Sequence, residues 1–138
     1  MRKQKGQSLF EVVITLVVIG IILSGLVKVI VVSIKNMDYS RNQNLALNLA
    51  QSKIEDLRQE RDAFQWSVFW NKYFEIHGGQ QIETNLGQNE IFSRDTVFTN
   101  ISDPPDSNNL MKIQVTVTWE DSQGEHRSFI ESHLTEWK

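Results

Sequence analysis

The sequence contains no cysteine and only two prolines among its 138 residues. The lack of cysteine excludes disulfides, thiolate catalysis and cysteine-based metal sites, so a folded domain must be stabilised by its core alone. The net charge is −3, which argues against general binding to nucleic-acid phosphates. The sequence also lacks a glycine-rich phosphate loop, a Gly-x-Ser-x-Gly motif and a zinc-ligand spacing. It therefore predicts no catalytic residues, no cofactor, no metal and no small-molecule substrate.

The apolar residues are concentrated at one end of the chain. The mean hydropathy of −0.33 is ordinary for a soluble protein. Residues 9–34, however, are mostly Val, Ile and Leu, whereas the rest is rich in Asn, Gln, Ser, Thr and charged residues. The two ends are therefore predicted to lie in different solvents.

Residues 9–27 carry one charge, on Glu11, and are long and apolar enough to cross a bilayer as a helix of about 20 residues. An ordinary secretory signal peptide has a basic start, as here, but a shorter apolar stretch followed by a small-residue cleavage site. A plain signal anchor leaves Glu11 unexplained, because a carboxylate near the bilayer centre costs about 3 kcal/mol. Both alternatives therefore fit the N-terminus poorly.

Residues 5–11 read Lys-Gly-Gln-Ser-Leu-Phe-Glu and follow a basic start with Arg2 and Lys3. This resembles the prepilin signature of type IV pilins and type II secretion pseudopilins. The resemblance implies that prepilin peptidase removes a leader, residues 1–6, by cutting between Gly6 and Gln7. It also implies N-methylation of Gln7 and an assembly role for Glu11, the fifth residue of the mature chain.

The resemblance implies a single-pass precursor in the inner (cytoplasmic) membrane with a cytoplasmic leader, which later enters a filament. Its C-terminal domain would be periplasmic or extracellular. The implied partners are other pilin or pseudopilin subunits, prepilin peptidase, an inner-membrane assembly platform and the lipid bilayer. Gln7 stands where the family usually has Phe, and together with the small size and the lack of cysteine it favours a minor subunit. The helix also lacks the proline that many members of the family carry.

The expected role of Glu11 rests on magnitudes. If the α-amine of Gln7 lies about 4 Å from Glu11 of the next subunit, the attraction is roughly 4 kcal/mol at an effective dielectric of 20. That attraction is similar to the cost of placing a carboxylate in lipid. A mismatched neighbour would leave Glu11 unpaired, so the pair would set register and recruitment.

Residues 35–61 contain no Gly or Pro and extend the predicted helix. Their charged side chains are predicted to be solvated. The apolar positions fall within an arc of about 100° and form a stripe that faces a core: Ala46, Leu47, Ala50, Ile54 and Leu57.

An aromatic cluster follows, and we interpret it as core, with a partner-binding patch as the alternative. Regular structure is predicted to end at residues 77–79, which read His-Gly-Gly. The cluster consists of Phe64, Trp66, Phe69, Trp70, Tyr73 and Phe74.

Strict alternation predicts a strand over residues 111–120, with one face buried. A return strand over 126–135 is predicted to contribute Phe129, Ile130 and Leu134, and a further strand is predicted over 91–101. The buried positions of the first strand are Met111, Ile113, Val115, Val117 and Trp119.

The predicted fold class is α+β and pilin-like, with a long N-terminal helix packed against a small antiparallel sheet of three to four strands. The predicted segments are the leader 1–6, the transmembrane and assembly half of the helix 7–34, its amphipathic half 35–61, and a globular part 62–138.

Two possible metal sites receive little support. His126 and His133 are seven residues apart and fall on opposite faces of a strand, so they are poor co-ligands, and His77 lies elsewhere. The loop 102–109 offers Asp103 and Asp106, with Asn108 and Asn109, to calcium but has no EF-hand spacing. An ordinary loop is the simpler interpretation.

The sequence thus predicts a structural subunit, a minor pilin or pseudopilin of a type IV pilus or a type II secretion-like filament. The alternatives are a membrane-anchored tip adhesin or a DNA-uptake (competence) pseudopilin. A tethered enzyme would need a convergent polar site.

Overall fold

A computed structural model describes residues 5–87, 90–104 and 107–136 of the chain. Three helical segments come first: α1 at Lys5–Ala63, α2 at Trp66–Asn71 and a π-helical turn at Lys72–Ile76. Four strands follow, and they are β1 Gln80–Leu86, β2 Phe92–Asn100, β3 Leu110–Asp121 and β4 Gly124–Thr135.

The chain divides into two compact units, of which the first ends at Asp38 and the second begins at Tyr39. Residues of α1 belong to both units. In the first unit the described residues are helical, and the large apolar side chains from Leu9 to Ile34 are all at least 47% exposed. The second unit contains the remaining helical segments and the sheet.

The sheet is an antiparallel meander with strand order β1-β2-β3-β4. The pairing of β3 with β4 runs without interruption from Leu110–Thr135 to Asp121–Gly124. Gly124 has a φ of 119°, a left-handed conformation that glycine adopts without a Cβ penalty, and it closes this tight turn. The predicted α+β class and antiparallel sheet are confirmed.

The core of the second unit lies between the C-terminal half of α1 and one face of the sheet. All five alternating positions predicted for β3 are buried. On α1 the predicted stripe is also buried, except that Leu47 is only half-buried. Ala46 and Ala50 are completely buried, so α1 approaches the sheet through its smallest side chains. The apolar residues that recur every two positions on the strand thus pack against those that recur every 3.6 positions on the helix.

Most of the aromatic cluster packs into this core, as predicted. Phe69, Trp70 and Tyr73 are buried, and the rings of Tyr73 and Phe98 stack with centroids 4.3 Å apart. Phe64 was predicted to belong to this core, but that prediction was wrong: Phe64 follows the end of α1 and is 56% exposed. The predicted end of regular structure at residues 77–79 is confirmed, since a turn separates the π-helical turn from β1.

Two further predictions were wrong in detail. Phe129 was expected to add to the core with Ile130 and Leu134, but it is 59% exposed. Adjacent strand residues point to opposite faces, so Phe129 lies on the outer face, away from α1. Lys53 was expected to be solvated, but it is buried because its ammonium lies 3.2 Å from a Glu83 carboxylate oxygen.

Candidate processing and assembly site

The predicted processing and assembly positions all lie in the first two turns of α1, which begins at Lys5 among the described residues. The backbone of Gly6 and Gln7 is helical, and Glu11 follows Gln7 by four residues. Positions four apart lie on the same face of a helix. The backbone therefore places the cleavage position one turn before the Glu11 carboxylate.

The polar side chains within residues 9–27 differ in whether they form hydrogen bonds inside the helix. The Thr15 hydroxyl donates to the backbone carbonyls of Glu11 and Val12, the latter at 3.2 Å. Ser24 donates to the Gly20 carbonyl at 2.8 Å. Such bonds to the preceding turn leave no free hydroxyl donor in lipid.

Glu11 is different, because its carboxylate is exposed. From residue 9 onward, where the structure describes the side chains, none of them forms an ion pair or hydrogen bond with that carboxylate. An ionised carboxylate without a partner is costly in a bilayer. If Glu11 enters lipid charged, it therefore needs a cation other than the side chains described from residue 9 onward.

The surface around this site is apolar. In the described chain one helix is long and apolar enough to cross a membrane, with a mean hydropathy of 2.7 in its most apolar window. None of that window is buried within the chain. In water such a surface is unfavourable, so it suits lipid or the apolar helices of other subunits.

Residues 1–27 match a family model described as the prokaryotic N-terminal methylation motif. The chain carries the prepilin-type signature. No curated protein and no solved structure matches the chain. The match covers the basic start, the Gly6–Gln7 junction, Glu11 and the first part of the apolar segment, so the resemblance seen in the sequence is confirmed there.

The signature and the apolar helix fit an inner-membrane-anchored, type IV pilin-like precursor. The signature also implies a structural subunit that is processed by prepilin peptidase and assembles with other pilin subunits. The individual roles of Gly6, Gln7 and Glu11 stay predictions, as do the segment boundaries at residues 6, 34 and 61.

The histidines lie apart, as their spacing predicts. On β4 the imidazole of His126 is directed inward and lies 3.0 Å from an Asp121 carboxylate oxygen, whereas His133 is on the outer face. The backbone N–H of Gln123 and the bond with His126 lower the pKa of Asp121 below its usual range. His126 also contacts the rings of Tyr39 and Trp119, which gives it a packing role.

The loop 102–109 is partly engaged in structure. The side chain of Asn100 donates to Asn108 at 3.1 Å, and Trp66 donates from its indole to the Asn108 backbone carbonyl. Asp106 lies outside the described residues. Within them, no group of three or more His, Cys, Asp or Glu residues is arranged to hold a metal.

Sequence reasoning missed two ionic clusters in the second unit. In the first, Glu83 on β1 accepts from Arg94 at 2.8 Å and pairs with Lys53. Burial raises the pKa of Glu83, but the hydrogen bond from Arg94 and the charge of Lys53 outweigh it and hold the pKa below its usual range. The only signal was the isolated Arg94 at an inward position of a predicted strand.

In the second cluster, Glu60 near the end of α1 pairs with Lys72 and accepts a hydrogen bond of 2.7 Å from the Tyr73 hydroxyl. Partial burial raises the pKa of Glu60, but the hydrogen bonds from Lys72 and Tyr73 lower it by more. The pKa of Glu60 therefore lies below its usual range. Burial and the bond to Glu60 raise the pKa of Tyr73 well above its usual range. This cluster fastens the π-helical turn to α1.

Proposed function

We propose that this chain is a minor pilin or pseudopilin, a structural subunit of a type IV pilus or a type II secretion-like filament. Prepilin peptidase cuts it between Gly6 and Gln7, and the new terminus at Gln7 is N-methylated. Glu11 then pairs with the α-amine of a neighbouring subunit during assembly. The C-terminal domain lies on the periplasmic or extracellular side, and the chain is not an enzyme.

The observation that carries this proposal is the match of residues 1–27 to the N-terminal methylation motif. Glu11 adds support, because its carboxylate is exposed in an apolar helix and has no partner among the side chains described from residue 9 onward. The α-amine created at Gln7 would be the matching cation. At about 4 Å the attraction, roughly 4 kcal/mol at an effective dielectric of 20, offsets the cost of burying the carboxylate.

The processing step is tested by mass spectrometry of the chain recovered from membranes that contain prepilin peptidase. We expect a mass that lacks residues 1–6 and carries one added methyl group on Gln7. A Gly6→Val chain places a branched side chain at the cut and should retain its leader. Recovery of the parent chain with Met1 in place would overturn the proposal.

The assembly step is tested with Glu11→Ala, compared with Thr15→Val as a matched change one turn later. Both chains should insert into the membrane and lose the leader. Glu11→Ala should be strongly depleted from sheared filaments, because it cannot attract the α-amine of its neighbour, whereas Thr15→Val should be incorporated like the parent. Equal incorporation of both variants would contradict the role of Glu11.

A further inference from the structure

The sheet ends in two open edges, β1 on one side and β4 on the other. The β4 edge is long and regular, because its register with β3 has no bulge from Gly124 to Thr135. The β1 edge is regular from Gln80 to Glu83 and then shifts register. An open edge presents unpaired backbone N–H and C=O groups that can pair with another strand.

The backbone direction at both edges follows from one hydrogen bond. The N–H of Phe98 donates to the carbonyl of Gly79, the residue before β1, at 2.8 Å. The odd-numbered residues in the first part of β1 therefore direct their backbone N–H and C=O groups toward β2. Ile82 therefore directs its backbone groups to the open edge, because direction alternates along a strand. The same alternation can be followed from β1 to β4 through the three observed strand pairings. It shows that Phe129 directs its backbone N–H and C=O groups to the open edge of β4.

These two residues are also large, apolar and exposed. Ile82 is 63% exposed and Phe129 is 59% exposed. Both side chains lie on the outer face of the sheet, opposite to the face covered by α1. Each open edge thus combines an outward-facing backbone with one exposed apolar side chain at the same residue.

The topology determines which edges can meet when two chains have the same orientation. In a four-stranded antiparallel meander, β4 runs antiparallel to β1. A second copy shifted sideways without rotation therefore brings its β1 antiparallel to β4 of the first. We take neighbouring subunits of one filament to present their sheets in the same orientation, so this step rests on the proposed function.

We propose that β4 of one chain pairs with β1 of a second copy and joins the two sheets head to tail. Phe129 lies opposite Ile82 of the second copy, and the two residues exchange both backbone hydrogen bonds. In the same register Glu131 lies opposite Gln80, so this charged side chain meets a polar one. The two exposed apolar side chains cover each other on the outer face.

A groove beside the β4 edge leaves room for the incoming strand. It has a volume of about 550 Å³ and lies between α1 and β4. The groove receives the inward-facing residues of the second copy's β1, among which Gln81 lies opposite Ile130. Its lining includes Gln51, Glu55 and Arg58 from α1 and Ile130 and Ser132 from β4.

A two-fold pairing of β4 with itself is the main rival. It also matches charges, since Arg127 would lie opposite Glu131 of the partner on either side of a central Phe129 pair. The two-fold axis would, however, run perpendicular to the sheet. The buried stripe from Ala46 to Leu57 runs along the sheet, so this axis would reverse the direction of α1 between the two chains. Subunits that enter one filament in the same orientation, as the proposed function implies, would not adopt that reversal.

The head-to-tail contact is short, so membrane anchoring is needed to populate it. Anchoring raises the effective concentration of the second edge, which converts a weak contact into an efficient one. The pairing is therefore tested in full-length chains in membranes and filaments. Because the parent sequence has no cysteine, introduced cysteines report only the intended contacts.

The test co-expresses a Gln80→Cys chain with a Glu131→Cys chain and measures oxidised dimer. Directly opposite residues of a hydrogen-bonded pair lie about 5.5 Å apart between Cα atoms, which suits a disulfide. Gln80→Cys with Glu125→Cys is the matched control, because six residues along the strand separate its sulfurs by roughly 20 Å. We expect at least about tenfold more dimer from the first pair than from the control.

Phe129→Cys expressed alone tests the two-fold rival, since only that arrangement places residue 129 opposite itself. Abundant dimer from this variant, or equal dimer from the in-register and control pairs, would overturn the head-to-tail pairing. The same samples are assayed for leader removal and filament incorporation. Processed, incorporated chains without the in-register disulfide would refute the pairing and leave the proposed function standing. Unprocessed chains would refute the proposed function, whatever the cross-link.

Discussion

The guanidinium of Arg94 on β2 donates a hydrogen bond of 2.8 Å to the backbone carbonyl of Leu49 on α1. Another nitrogen of the same group donates to Glu83, which also pairs with Lys53. One partly buried carboxylate thus neutralises one of two buried cations, and the cluster joins α1, β1 and β2. This cluster fixes the open strand β1 to the rest of the second unit.

The balance of charge in this cluster predicts unequal effects of two substitutions. Glu83→Gln leaves Lys53 and Arg94 buried together without a counter-ion and should lower the free energy of unfolding by about 3–5 kcal/mol. Lys53→Met leaves the Arg94–Glu83 pair intact and should cost less than about 1 kcal/mol, because a buried charge is replaced by an apolar chain of similar length. Urea unfolding of the full-length chain in detergent measures both, and equal losses would refute the charge argument.

The lowered pKa of Glu60 leads us to expect that the stability of the folded chain depends on pH. Its pKa lies below the usual range in the folded chain, so its contribution is present above the unfolded-state pKa. The contribution is lost as the pH falls through the lower folded-state value. Replacing Glu60 with Gln should therefore lower stability at pH 7 and flatten the loss of stability on acidification.

Tyr73→Phe is the graded comparison, because it removes one of the two hydrogen bonds to Glu60 and keeps Lys72. Its acid sensitivity should fall between those of the parent and Glu60→Gln. Circular dichroism of urea unfolding at a series of pH values measures all three chains. An acid transition as steep in Glu60→Gln as in the parent would show that Glu60 is not responsible.

Strand β3 and the stripe on α1 could be predicted because burial of one face makes apolar residues recur at a regular spacing in the sequence. Val115 lies in the middle of the alternating strand pattern, and Ala50 lies in the middle of the helical pattern. Strand β1 could not be predicted, since Gln80–Leu86 has little apolar content. Its backbone pairs with β2, and its Glu83 pairs with two cations that are distant in sequence. Likewise, the buried position of Lys53 depends on that strand, so local composition carries no trace of it.

The candidate site shows the opposite pattern. The Gly6–Gln7 junction and Glu11 are contiguous in sequence, so the signature is readable without a fold. The open edges at Ile82 and Phe129 are not, because exposure of a strand residue depends on which neighbouring strand is absent. Sequence alone placed Phe129 in the core because the return strand gave no clear sign of which of its faces packs against α1.

Thr96 offers a test of buried polar groups. It is completely buried on β2, and its hydroxyl oxygen has no hydrogen-bond partner among the described residues. Thr96→Val replaces the hydroxyl with a methyl group of similar size, so it should leave stability unchanged or raise it by about 1–2 kcal/mol. Thr96→Ser keeps the hydroxyl and removes a buried methyl group, so it should cost about 1 kcal/mol. If Thr96→Val is the less stable of the two, the hydroxyl has a partner.

Ala50 tests how closely α1 approaches the sheet. Its side chain is completely buried, and a larger residue there must push apart α1 and the strands. Ala50→Leu should lower the free energy of unfolding by about 1–3 kcal/mol through overpacking, although Leu is a good helix former. Gln51→Leu is the matched control, because residue 51 is exposed on the same turn and should change stability by less than about 0.5 kcal/mol. Urea unfolding in detergent measures both variants, and a neutral Ala50→Leu would mean that the helix and sheet are more loosely packed than the complete burial of Ala50 indicates.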